Sequence, residues 1–180
     1  QEDRDFSALD FSNFIHVLGS VHYLDGWAFD DPAREARWHD VGVDSVWRRY
    51  FEVWCQAASC TDMPFTCMAH PDLVKKFGYR PSFNPQPLYD EAAEAVQSSG
   101  RMVEVNTSGL TYACAELFPA PDLLRTFCRA GIPCSIGTDA HDPAVVDRNL
   151  MPGLAAMYEA GYRCVTVPTS TGDRRQIALE

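Results

Sequence analysis

Four short apolar runs, each passing directly into chemically capable residues, constrain this chain more than any other feature. Phe14-Ile15-His16-Val17-Leu18-Gly19 leads into Ser20-Val21-His22, and Phe65-Thr66-Cys67-Met68-Ala69 into His70-Pro71-Asp72. Met102-Val103-Glu104-Val105 leads into Asn106-Thr107-Ser108-Gly109, and Ile132-Pro133-Cys134-Ser135-Ile136-Gly137 into Thr138-Asp139-Ala140-His141. Each run has strand length and bulky or β-branched content, as strands buried on both faces do.

Helical patterns lie between them. Val43, Val46, Trp47, Tyr50 and Trp54 form one apolar stripe at helical spacing. Residues 88–99 are rich in Ala and Glu and stop at Gly100; Pro121 opens a segment ending at Gly131, and Pro143 one ending at Gly161. Proline at the start and glycine past the end is the expected helix asymmetry. Pro152 should kink or divide the last of these helices. A further strand is expected at 164–167, then a turn at Gly172-Asp173 and an extended segment at 176–179.

Strands alternating with helices predict right-handed βαβ units and a parallel sheet, an α/β fold. Every polar cluster then falls at the carboxyl end of its strand. An open doubly wound sheet would place a site at one switch point, whereas barrels collect residues from successive strand ends. The barrel is the better fit.

A chain of 180 residues with 46% hydrophobic content can bury one core, so residues 1–180 are read as a single domain. The net charge of −10, without a basic stripe, disfavours a nucleic-acid partner. No apolar run is long enough to span a bilayer, and the polar opening Gln1-Glu2-Asp3-Arg4-Asp5 is unlike a signal peptide. The seven cysteines are odd in number and contain no CxxC pair, which predicts reduced, buried thiols and a cytoplasmic setting.

Asp139 and His141 stand two apart at a strand end, where both can face one ion, and carboxylate plus imidazole suits zinc, manganese or iron. The plain alternative is an Asp capping the next helix and a surface His. His70 and His22 each follow a strand directly. Asp72 reads as a helix cap or as a partner orienting His70, and Glu104 as an interior group behind the ligands. Asn106, Thr107 and Ser108 offer neutral donors to a phosphate or polar substrate, or form an ordinary turn. His16 is read as structural and His39 as a surface loop residue. His22, His70, Asp139 and His141 together resemble a metal site whose bound hydroxide serves as nucleophile.

The motifs Gly19-Ser20-Val21-His22, the stretch from Ala69-His70-Pro71-Asp72 to Phe77-Gly78, Glu104-Val105-Asn106-Thr107-Ser108-Gly109-Leu110 and Gly137-Thr138-Asp139-Ala140-His141 occur in order. Together they resemble the histidinol-phosphatase branch of the PHP (polymerase and histidinol phosphatase) superfamily, from about Phe14 to the closing Ile177-Ala178-Leu179. The resemblance implies a distorted (β/α)7 TIM-like barrel holding two to three divalent ions, Zn, Mn or Fe. It also implies hydrolysis of L-histidinol phosphate, a step of histidine biosynthesis. His22, His70, Asp139 and His141 fall on metal ligands, and Asn106 and Ser108 on the loop that approaches substrate.

Two departures matter. Thr111 and Tyr112 stand where the family commonly carries an arginine suited to phosphate. The family's first strand, with its His-x-His pair, and a glutamate ligand are absent, so a preceding segment is expected to supply strands and further ligands. A phosphoesterase for another phosphate ester, or a catalytically dead module that binds a partner, are the competing readings.

Overall fold

The computed structural model describes residues 10–179. Four strands, β1 (Leu18–Gly19), β4 (Cys67–Met68), β5 (Met102–Asn106) and β6 (Cys134–Gly137), form one parallel sheet in the order β1-β4-β5-β6. Its register pairs Gly19 with Met68, Met68 with Val103, and Asn106 with Gly137. The four apolar runs thus become neighbouring strands in chain order, and their polar sequels share one end of the sheet. β1 and β4 are much shorter than their runs, with only two ladder residues each.

A short antiparallel hairpin, β2 (Tyr23–Leu24) and β3 (Trp27–Ala28), follows β1, and no expectation covered it. Its two-residue loop is Asp25-Gly26, both at positive φ (49° and 76°), the turn whose twist suits a tight hairpin. Next come α1 (Arg37–Val41) and α2 (Val43–Ser59); α3 (Gln86–Ser99) precedes β5, α4 (Pro121–Arg129) precedes β6, and α5 (Leu150–Ala160) follows it. His39 lies within α1, exposed and edge-on to Tyr79, rather than in a loop. Pro152 does not divide a helix. The break falls earlier, at Asn149 in the left-handed region, and Pro152 sits in the first turn of α5, where a missing N–H costs nothing.

α2, α3, α4 and α5 pack neighbour to neighbour in chain order. Of the stripe read from sequence, Val46, Trp47, Tyr50 and Trp54 are buried and Val43 only partly so, and Phe51 and Ala58 complete the buried face of α2. Each large side chain withdrawn from water there is worth about 1.5–3 kcal/mol. β7 (Cys164–Pro168) and β8 (Arg174–Ala178) pair antiparallel beside β6. Among the described residues no ladder joins β6 to β7 or closes the sheet upon itself. All seven cysteines are free thiols.

The amino ends of the strands are fastened by one side chain. Arg101, just before β5 and 6% exposed, donates Nε to Phe65 O (2.8 Å) and Nη2 to Cys60 O (2.6 Å) and Met63 O (2.9 Å). Its Nη1 donates to Ala58 O. Two of these acceptors, Ala58 O and Cys60 O, lie at the end of α2, where carbonyls lack partners within the helix.

Candidate metal centre

At the opposite, carboxyl ends of the strands, His22 and His70 meet with ring centroids 5.1 Å apart in an edge-on contact. His22 follows β1 and is 38% exposed in its side chain; its Nδ1 lies 3.1 Å from Asp30 Oδ2. His70 follows β4 and is buried. Burial above all, with the neighbouring His22 adding, pushes the His70 imidazole down to about 4. It is neutral at ordinary pH, the form with a lone pair to give, and its buried Nδ1 has no hydrogen-bond partner.

His70 sits in an unusual backbone state, φ +27°, and its surroundings enforce it. Fully buried Tyr50 of α2 donates its hydroxyl to His70 O (3.3 Å) and Pro71 O (3.2 Å), and accepts from Leu73 N (3.2 Å). From the neighbouring strand, Glu104 Oε2 accepts the His70 N–H at 3.1 Å and the Asn106 Nδ2–H at 3.0 Å. Burial raises the Glu104 carboxyl above its ordinary value, the Asn106 and His70 bonds oppose that, and the charge of Asp139 adds to it. Glu104 is thus bonded to the His70 backbone and close enough to Asp139 to feel its charge. β5 runs to Asn106, so Glu104 is close to the strand end. Gly137 makes room for it: a Cβ there would lie 2.1 Å from Glu104 Oε1.

Asp139 and His141 do not share one extended face. β6 ends at Gly137, and Asp139 adopts φ +53°, so alternation no longer governs the residues after it. Both are exposed, and His141 Nδ1 lies 2.8 Å from the Asp139 carbonyl. Asp142, not Asp139, caps the following 3-10 turn by accepting from Ala144 N. Thr107 and Thr138 fasten this loop to the sheet, donating hydroxyls to Arg148 O (2.7 Å) and Val146 O (2.9 Å).

Asp72 is neither cap nor partner of the His70 ring. Its Oδ2 accepts from Lys75 Nζ and Ala120 N, both at 2.8 Å, because a wholly buried lysine demands a counter-charge. Lys75 also donates to Leu117 O, which ties this loop to the one after β5. Asn106 and Ser108 are buried and bonded to each other: Asn106 Oδ1 accepts from Ser108 N (3.0 Å) and Oγ (2.7 Å). Their geometry is that of a turn-building pair. Asp30, Tyr50 and Lys76 were not singled out as site residues from sequence. Tyr50 lies in the apolar stripe of α2 and Lys76 in the motif stretch that ends at Gly78, but neither position marks a role at the site, and Asp30 comes from a segment with no signal of its own.

Among the described residues, no three His, Cys, Asp or Glu side chains are gathered closely enough to hold a metal ion between them. The donors nonetheless fit one chemically: a neutral buried imidazole with an unpartnered nitrogen, a second imidazole against it, and carboxylates alongside suit a borderline divalent cation.

No family model matches the chain. It is 35% identical over 159 residues to a probable histidinol-phosphatase of Deinococcus radiodurans, covering 88% of this chain and 59% of that protein. The chain thus spans about six-tenths of the length of the curated relative it matches. In structure it resembles a histidinol phosphate phosphatase of Lactococcus lactis solved with zinc, L-histidinol and phosphate, with a TM-score of 0.67 at 20% identity over 89% of this chain and 61% of the other. A solved chain from Listeria monocytogenes aligns with the same TM-score at 19% identity, over 75% and 56%. The chain resembles the histidinol-phosphatase branch in sequence, and these structures share its α/β fold.

Proposed function

We propose that this chain belongs to a metal-dependent phosphatase acting on a small phosphate monoester, L-histidinol phosphate first among the candidates. The observation that carries the reading is the His22–His70 pair beside Glu104 at the carboxyl ends of parallel strands, where βα loops converge in barrel enzymes. The match to the curated histidinol-phosphatase supplies the substrate class. We read residues 1–180 as one domain, the sheet as an arc of a distorted (β/α)7 barrel, and the setting as cytoplasmic. Helices packed in chain order support the arc, and free thiols support the compartment.

His22, His70, Asp139 and His141 would hold the ions, two to three of Zn, Mn or Fe. When bound, such ions neutralise charge on a phosphoryl group and make water a stronger nucleophile. The chain's own contribution is placement. Tyr50 and Glu104 fix the His70 backbone, burial keeps its imidazole neutral, and Thr107 and Thr138 hold the Asp139 loop over the sheet. A phosphoesterase with another substrate remains the second reading, favoured by Thr111, whose hydroxyl bonds Ser108 O instead of offering a cation.

The test is the double substitution of Asp139 and His141 by Ala. Both side chains are exposed, but Asp139 sits at φ +53°, where Ala is less well tolerated than Asp, so the variant should lose about 1–2 kcal/mol and still fold. Bound zinc or manganese, measured by elemental analysis, should fall by at least one ion, and phosphate release should vanish. Unchanged metal content would refute the assignment.

A further inference from the structure

We infer that Asp30 is a positioning residue for His22, fixing the orientation and tautomer of its imidazole through a seat that Lys76 shares with the loop after His70. The inference deepens the metal-centre reading above and rests on it.

The contact itself is short, Asp30 Oδ2 to His22 Nδ1 at 3.1 Å. A carboxylate can only accept, so the proton belongs to Nδ1 and Nε2 is left as the basic nitrogen. A free neutral imidazole divides its proton between the two positions, so the tautomer here is set by the neighbour. Carboxylates that hold the far nitrogen of a metal-binding histidine act in this way, fixing the ring and raising its basicity.

A carboxylate can orient a ring only if it is held itself, and Asp30 is held from several sides. Lys76 Nζ donates to Asp30 O at 2.8 Å and to Oδ2 at 3.3 Å. Phe29, the preceding residue, is fully buried, and its carbonyl accepts from Trp38 Nε1 at 2.8 Å. Asp31, the next residue, caps a 3-10 turn by accepting from Ala33 N. The Asp30 side chain is only 15% exposed. Lys76 belongs to the segment that continues from His70, with Nζ 4.9 Å from the centre of the Tyr112 ring. One ammonium therefore links Asp30, and through it His22, to the segment carrying the second histidine. A plain surface ion pair would contribute little and would not select a tautomer.

The experiment uses the purified protein, Asp30→Ala, Asp30→Asn and His22→Ala. The His22 tautomer is read in metal-free protein by long-range proton–nitrogen NMR at a pH where the ring is neutral, and zinc affinity by competition with a chromophoric chelator. Wild type should show the Nδ1–H tautomer. Asp30→Ala should shift His22 towards Nε2–H and weaken zinc by about 10–100-fold. Asp30→Asn, of equal size and still an acceptor, should keep the tautomer and lose less affinity; it carries the comparison if the Ala variant does not fold. An Nε2–H tautomer in wild type, or zinc affinity within about twofold of wild type in both variants, overturns the inference. Zinc bound as tightly by His22→Ala as by wild type overturns the metal-centre reading instead, and the tautomer then judges Asp30 alone.

Discussion

The two ends of the parallel sheet are built on opposite principles. At the amino ends, Arg101 spends four of its five N–H donors on backbone carbonyls. At the carboxyl ends, His70 Nδ1 is buried without a partner, and His70 and Asp139 hold backbone angles that side chains rarely adopt. Asp139 and His141 lie open to solvent. Unsatisfied groups and strained angles cost free energy, and they persist where surrounding structure enforces them. One end therefore reads as the stabilising end and the other as the chemical end, the division seen in barrel enzymes.

The strongest way to break that division is Arg101→Met. It strips partners from four carbonyls and should lower unfolding free energy by about 3–5 kcal/mol, measured by urea titration. Metal bound per folded molecule should not change; a loss of metal equal to that from altering Asp139 and His141 would show that the two ends are not separable. Gly137→Ala sharpens the contrast from the other side. The new Cβ would overlap Glu104 Oε1, so the carboxylate must swing and give up its bonds to His70 N and Asn106 Nδ2. We expect a cost of about 1–3 kcal/mol, with zinc affinity falling as well; an intact zinc affinity would mean that Glu104 supports folding only. The smallest effect is expected of Thr111→Arg. Thr111 is exposed, and a guanidinium there should improve KM for histidinol phosphate by about two- to fivefold, a gain that fades as salt screens it. A KM that stays constant at low salt would place phosphate recognition elsewhere.

Much of this molecule was legible in its sequence. β4 and β5 are buried throughout, as their runs led one to expect, whereas the first run leaves Phe14, Ile15 and Leu18 exposed; all four runs nonetheless mark strands, and their chain order is their order in the sheet. The helix limits at Gly100, Pro121 and Gly161 followed from backbone chemistry that acts within a few residues. Asp25-Gly26 carries an equally local hairpin signal. His22 and His70 could be chosen because each directly follows a strand, and the structure brings them together.

What sequence could not decide were relations between distant segments. Asp30 reaches His22 across a hairpin, Tyr50 grips the His70 turn from another helix, and Lys76 joins the two loops. Asp72 faced several possible partners, and the need of a buried Lys75 for a counter-charge chose among them. Asn106 and Ser108, two residues apart, take the local turn that their residue types also allow, with their hydrogen bonds spent on each other. Residue type and local spacing fix what a group can do, because propensity and periodicity act within a turn or a strand. Which partner it meets is settled when burial removes water and leaves each polar atom to find whatever neighbour the fold has placed beside it.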